Sequence, residues 1–459
     1  MSLNRFVGPG DAGAVRPATE PEAPYVCVCC RRARLAKIDD GYVCPACGSV
    51  FPVLMGVPLL VDGVVPERTH PPASVDADIR RILEYFRLPS SVDNVNALRE
   101  IFGRRYTFRQ QHYTAENNSF MSRISETPLG EWKPERVNEN LRAAVTQDYI
   151  PEELSAGTAS THNVRIRNDD DAWLVSQEVC NPVFISYHWF ALDGRVVLWD
   201  GKRTPFPVPL APHRAMTVPV SIAAPAEPGD YILRLDLARE WLGWGGLEPW
   251  ERSVRVVGRE ADPRCPGWIV SQRREDYAKD HEYARTLLQE RISGLGSQAR
   301  ILELGGTSSP QTAWFGLPVW NVDIDVQSLQ IGALCHANLD RSSCSFVCAD
   351  AHQLPFEPAY FDCIVMFATL HHFEEPARLL RSATAYLKAD GFIAVLCDPV
   401  GHDVAGADYR RDLMAGINEQ TFTPAEYAMI FDRAGLHVVH AQIDDLSLKA
   451  FLGRGSEIP

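Results

Sequence analysis

Ile301-Leu302-Glu303-Leu304-Gly305-Gly306-Thr307 is the stretch on which the fold turns. Its apolar residues read as a buried strand, and the paired glycines let the chain turn sharply at its end. Three acids follow at intervals. Asp323 stands in Val322-Asp323-Ile324, Asp350 in Cys348-Ala349-Asp350-Ala351, and Asp362 in Phe361-Asp362-Cys363-Ile364-Val365. Each adjoins an apolar run, and helical stretches separate the runs. That alternation predicts a parallel α/β sheet. In such a sheet ligands collect beyond the carboxyl ends of the strands, near the switch in strand order. The order of the stations points to a nucleotide cofactor, with the Asp323 carboxylate placed to accept ribose hydroxyls. Asp325, two residues on, competes for that role.

Outward from this core, the 459-residue chain is long enough for several domains. A formal charge of -14 argues against nucleic acid and anionic membranes as partners. No apolar run approaches the roughly 20 residues that span a bilayer. The N-terminus lacks the basic-then-apolar pattern of a secretion signal, so a cytoplasmic protein is expected. Composition and pattern divide the chain. We expect a disordered N-terminus over 1–23, a compact cysteine unit over 24–66 and a partly helical connector over 67–158. Ile79, Ile82, Leu83 and Phe86 place one helix over 76–101 within that connector. An antiparallel, immunoglobulin-like β-sandwich over 159–258 is predicted from period-two runs such as Tyr231, Leu233, Leu235 and Leu237. Its hairpin is marked by Asp193-Gly194. The α/β domain occupies 259–459.

Cys27-Val28-Cys29-Cys30 and Cys44-Pro45-Ala46-Cys47 are two Cys-x-x-Cys knuckles. Four thiolates suit tetrahedral zinc, and a closed four-cysteine site leaves no position for catalysis. Cys27, Cys30, Cys44 and Cys47 are therefore the expected ligands of a structural Zn2+, with Cys29 spare. The gap between the knuckles is shorter than the usual roughly 15–20 residues, which a tight hairpin can close. Because the acidic stations all lie beyond Arg300, loss of this metal is expected to leave the cofactor site intact.

The ordered stations resemble those of the class I S-adenosylmethionine-dependent methyltransferases. The resemblance implies a Rossmann-like domain, S-adenosylmethionine as cofactor and an enzyme that transfers methyl. The family strand carries Glu-x-Gly-x-Gly-x-Gly. Glu303 and Gly305 match it, while Thr307 and Ser309 replace the later glycines. A β-branched Thr resists positive φ, so a loop of different shape is expected. The resemblance places Glu303, Gly305 and Gly306 around the methionine end and Asp323 on the ribose. Phe346-Val347-Cys348-Ala349-Asp350-Ala351 with Leu354-Pro355-Phe356 is its most specific segment. There Asp350 accepts the adenine amino group and the Ala351 backbone reads the ring. Met366, at the end of the next strand, completes the expected cofactor set, and Asp362 is structural.

Methyl transfer is an in-line displacement in which alignment does most of the work. An oxygen acceptor also needs a base. His371 and His372 follow the strand ending near Met366, and Glu419 lies in the loop Asn418-Glu419 before a helix from about 424; these are the catalytic candidates. His402, Asp403 and Tyr409 form another set. Thr423 with Glu426 three residues on predicts a capping box.

Phe51-Pro52-Val53 and Gly56-Val57-Pro58-Leu59-Leu60 resemble the zinc-ribbon activator proteins that partner RNA and protein methyltransferases. Through Ser186-Tyr187-His188-Trp189, Trp199-Asp200-Gly201-Lys202-Arg203-Thr204 and Pro225-Ala226-Glu227-Pro228-Gly229-Asp230-Tyr231, the central segment resembles β-sandwiches found beside glycosyltransferases and on polysaccharide exporters. It gathers Trp173, Trp189, Trp199, Trp241, Trp244 and Trp250, of which most are expected to fill the core. The expected substrate is a glycan or glycolipid, O-methylated on a sugar hydroxyl. A glycan-binding scaffold with an inactive methyltransferase domain is the alternative, as is methylation of protein, RNA or a small metabolite.

Overall fold

The computed structural model describes residues 24–71, 74–107, 136–178, 180–258, 267–271, 277–339, 343–402, 406–414 and 416–454. The expected disordered N-terminus, Asp403 and the middle of the connector lie outside them. Two compact units emerge. One takes in the described residues of 1–123, 268–399 and 431–459, the other those of 124–267 and 400–430.

The first unit is built on an eight-stranded sheet. Its order is Ile269–Ser271, Leu436–Asp444, Ser447–Arg454, Leu387–Pro399, Phe361–Phe367, Ile301–Leu304, Val319–Asp323 and Cys344–Cys348. Every pairing is parallel except those of Ser447–Arg454, which is antiparallel to both neighbours. The central strands are apolar because both faces are covered: Cys363, Ile364, Val365 and Met366 are each 0% exposed. Ala284, Leu288 and Ile292, spaced four apart on the helix Tyr277–Ile292, pack against Ile301, Val365 and Ala394. Ile301–Leu304 pairs with Val319–Asp323 on one side and Phe361–Phe367 on the other. The switch in strand order therefore falls at the Gly305 turn, where a ligand crevice belongs.

The helix expected over 76–101 is two helices, Val75–Tyr85 and Val92–Phe102. Arg87 takes φ +54 between them, Pro89 cannot continue a helix, and the Ser91 hydroxyl accepts from the Asn94 amide to start the second. Their apolar faces meet Ile331 and Cys335 of the helix Val326–Asn338.

The cysteine unit is a small four-stranded sheet of Ala36–Ile38, Gly41–Val43, Val50–Leu54 and Val57–Pro58. It joins the large sheet directly. Leu59 bridges Cys348 in parallel, and the Leu60 amide donates to the Cys348 carbonyl at 2.8 Å. The Val26 amide donates to the Pro355 carbonyl, and Arg31 to the Leu354 carbonyl. Val57 and Leu59 are fully buried beside Val326, Leu329 and Phe346. The free edge of Cys344–Cys348 is thereby covered, which protects it from intermolecular pairing.

The second unit is a sandwich. One sheet orders Val196–Leu198, Val183–Ala191, Gly229–Arg239, Trp250–Val257 and Glu153–Ser155; the other holds Ala215–Ala223, Ala159–Asn168 and Ala143–Asp148. Trp189, Tyr187, Val218 and Leu235 fill the core between them. The hairpin turn has Gly194 at φ +85, its amide donating to the Ala191 carbonyl. Three expectations change here. The sandwich starts near 143 rather than 159, because Ala143–Asp148 pairs with Ala159–Asn168 although its sequence shows no clear alternation. Glu153–Ser155 runs parallel to Trp250–Val257, so the sheets are not wholly antiparallel. The described residues of 400–430, expected within the α/β domain, pack with the sandwich instead. Leu413 and Met414 lie against its core, and Phe422 meets Tyr149 edge-on at 5.2 Å.

Candidate active site

Gly305 ends the first strand at φ +78, and a Cβ there would sit 2.3 Å from the Thr369 side chain. Only glycine fits the position on both counts. Thr307 also enters the left-handed region, at φ +48. The sequence argued against this, but the loop is held from outside itself. The Asp323 carboxylate accepts from the Thr307 amide at 3.2 Å, and the buried Asn321 amide donates to the Thr307 carbonyl at 2.7 Å. These bonds offset a strain of roughly 1–3 kcal/mol. The loop keeps its turn without the later glycines.

The acids then separate by role. Glu303 is 1% exposed, and its carboxylate accepts from the Gln311 amide, the Thr312 amide and the Thr312 hydroxyl. It fastens the loop that was expected to surround the methionine end; burial pushes its carboxyl above the usual range. Asp325 caps the helix Val326–Asn338 through the Ser328 amide and is fully buried, which leaves Asp323 as the acid at the strand end. Asp350 is 6% exposed and accepts from the His352 amide at 2.7 Å, with Ala351 beside it. Asp323 accepts from the Thr307 and Asp325 amides, one on each carboxylate oxygen. Met366 is 0% exposed between Leu304 and Val395, so its side chain belongs to the sheet interior rather than to a cleft. Asp362 accepts from the Arg300 amide and pairs with Lys388, a structural role at the strand start.

His371 is 6% exposed, and its Nδ1 lies 2.8 Å from Oδ1 of the fully buried Asp398. A carboxylate only accepts, so Nδ1 carries the proton and Nε2 is the basic nitrogen. The same carboxylate accepts from the His371 amide at 2.9 Å. Asp398 was not among the sequence candidates. Pairing with Ser447–Arg454 slips by one residue between Leu396 and Asp398, and Cys397 at φ +58 is the extra residue. This bulge resets the strand's alternation at Asp398, a shift that a period-two reading cannot show. His372 is exposed, its ring centroid 4.0 Å from that of His371.

Residues 302–395 match a family profile described as a methyltransferase domain. This part of the chain is a methyltransferase domain of the S-adenosylmethionine-dependent class. Among curated proteins, the ubiquinone/menaquinone biosynthesis C-methyltransferase UbiE of Proteus mirabilis is 33% identical over 111 residues, 23% of this chain and 44% of that protein. Its counterpart in Pseudomonas aeruginosa is 32% identical over 114 residues, with the same shares. The chain thus spans less than half the length of the curated relatives it matches. Among solved structures, the YcgJ protein from Bacillus subtilis aligns with 38% of this chain and all of its own at 15% identity and TM-score 0.32. The complex of the Haloferax volcanii Trm112 methyltransferase activator with a putative methyltransferase aligns with 39% of this chain and 92% of its own at 16% identity and TM-score 0.34.

Outside the methyltransferase domain the remaining candidates divide. Cys27, Cys30, Cys44 and Cys47 bring their Sγ atoms within 4.8 Å of one another. The Cys27–Cys47 and Cys30–Cys44 pairs are each 3.6 Å apart. Tetrahedral zinc with bonds of about 2.3 Å needs sulfurs about 3.8 Å apart, so the donor set fits. Glu419 lies in the second unit, half-buried, with its carbonyl accepting from the Tyr409 hydroxyl. Beside it, Asn418 accepts from Arg165 of the sandwich at 2.8 Å. Thr423 and Glu426 form the expected capping box, and the Glu426 carboxylate also accepts from the Asn163 amide and pairs with His402. No described helix is long and apolar enough to cross a membrane.

Proposed function

We propose that this protein transfers a methyl group from S-adenosylmethionine to a sugar hydroxyl of a polysaccharide or its lipid-linked precursor, in the cytosol. Asp323 and Asp350 would hold the cofactor's ribose and adenine, and the Gly305–Thr307 turn its methionine end. When bound, the sulfonium supplies an electrophilic methyl. A sugar hydroxyl is a weak nucleophile near neutral pH, so its proton must pass to a base as the new bond forms. His371 carries that role in this reading. Asp398 fixes its tautomer and stabilises the imidazolium, leaving Nε2 to take the proton. His372 and Glu419 are the competing bases.

The surface of the sandwich supports the glycan acceptor. Trp189 fills the core as expected, but Trp199 is 48% exposed and Trp241 is 77% exposed. Trp199 stacks on His188 at 4.2 Å, Trp244 packs on the same ring at 4.4 Å, and the Arg203 guanidinium covers Trp244 at 4.7 Å. Arg203 also holds Asp200 and Glu240, the neighbours of Trp199 and Trp241. Rigid indole faces beside carboxylates suit sugars, whose C–H faces stack while their hydroxyls donate.

Incubation with methyl-labelled S-adenosylmethionine and fractionated cell extract tests the reading. Label in polysaccharide or lipid-linked glycan is expected. Label only in protein, RNA or a small metabolite overturns the acceptor.

A further inference from the structure

We propose that the cysteine ribbon forms one wall of the cofactor site, so that metal bound by its four thiolates tightens binding of the adenosine end. The proposal rests on reading Asp350 as the acid that faces the nucleotide. A cavity of about 180 Å³ at the carboxyl end of Cys344–Cys348 is lined by Asp350 and Gln353 on one side. Val28, Cys29, Leu60, Val61 and Asp62 line the other. At ~30 Å³ per water, that is room for a ring rather than for one solvent molecule.

Its chemistry suits a purine. Val28, Leu60 and Val61 offer apolar contact to a ring face. Asp350, nearly buried, offers an acceptor to an amino group on the ring edge. Such a site favours a base that brings a donor to that edge.

The wall is positioned by two sets of bonds. Leu60 is tied to the sheet through Cys348, and the first knuckle through Val26 to Pro355 and Arg31 to Leu354. Val28 and Cys29 are the two residues between the ligands Cys27 and Cys30. Any metal on those thiolates therefore fixes the backbone that faces Asp350. Binding at either site lowers the cost of ordering the knuckle for the other, and the coupling is reciprocal. This also gives the spare thiol a place: Cys29 is a wall residue, not a ligand. The proposal departs from the expectation that metal loss spares the cofactor site.

The test is calorimetry of the full chain with S-adenosylhomocysteine, with and without zinc, alongside Val28→Glu. We expect about one zinc per chain, and metal removal weakening binding by about 5–150-fold, the usual range of site coupling. Val28→Glu adds a third carboxylate to a cavity that already holds Asp350 and Asp62, and should weaken binding comparably with zinc content unchanged, so global unfolding is not the cause. Bound S-adenosylhomocysteine should slow alkylation of Cys29 by iodoacetamide and leave Cys180 as reactive as before. Equal affinity in metal-free protein and in Val28→Glu overturns the proposal while the cofactor assignment stands. No binding to the zinc-loaded wild type overturns both.

Discussion

His371 Nδ1 lies 2.8 Å from Asp398 Oδ1, and the carboxylate that fixes this ring is completely buried. In the proposed reaction Asp398 orients His371 as the base. Asp398→Asn keeps the shape but can present an amide donor to Nδ1, favouring the wrong tautomer. Turnover should fall by about 10²–10⁴-fold, the range of general-base catalysis, with S-adenosylhomocysteine affinity unchanged. His371→Ala should fall as far. Full activity in both variants would move the role to His372 or Glu419, and His372→Ala and Glu419→Gln would then be decisive.

Trp241 is held at φ +63 while 77% exposed, so neither burial nor an easy backbone keeps it there. A bulky residue in that region costs on the order of 1–2 kcal/mol. Trp241→Gly should raise the melting temperature by a few degrees. It should also weaken retardation of the full chain in gels containing soluble neutral polysaccharide, such as mannan or galactomannan. A raised melting temperature with undiminished retardation would remove Trp241 from the glycan surface.

His162 gives a pH signature. Burial, with the charge of His402 opposing protonation, holds its pKa down at about 4 from the model-compound 6.5, although Glu426 and Asp148 pull the other way. Between those values the unfolded chain binds a proton that the folded chain does not, so stability falls as pH drops through this window. Above 6.5 the contribution is complete. Urea unfolding at pH 7.5 and pH 5.0 should show a loss that His162→Gln reduces. An identical pH dependence in the variant would contradict the assignment.

Sequence and structure part company for physical reasons. The strands ending at Leu304, Asp323 and Phe367 were legible because buried parallel strands are continuous apolar runs. The Asp193-Gly194 turn and the Thr423–Glu426 cap were legible because they depend on neighbours in sequence. Thr307 was misjudged because its backbone is held by Asn321 and Asp323, which lie on another strand. The loop-fastening bonds of Glu303 are not legible in the sequence, because its partners, Gln311 and Thr312, are ordinary loop residues there. Asp398 was missed because a bulge at Cys397 changes the phase of its strand. The packing of Asn418, Thr421 and Glu426 with the sandwich rests on Asn163 and Arg165, far away in the chain.

The most direct test of the account is calorimetric titration of the full chain with S-adenosylhomocysteine. The account predicts saturable binding at about one site per chain, weakened at least about tenfold in Asp323→Ala and in Asp350→Ala, since each removes a charged acceptor worth about 1.5–3 kcal/mol. Absence of binding, or saturable binding of a nicotinamide nucleotide in its place, would contradict it.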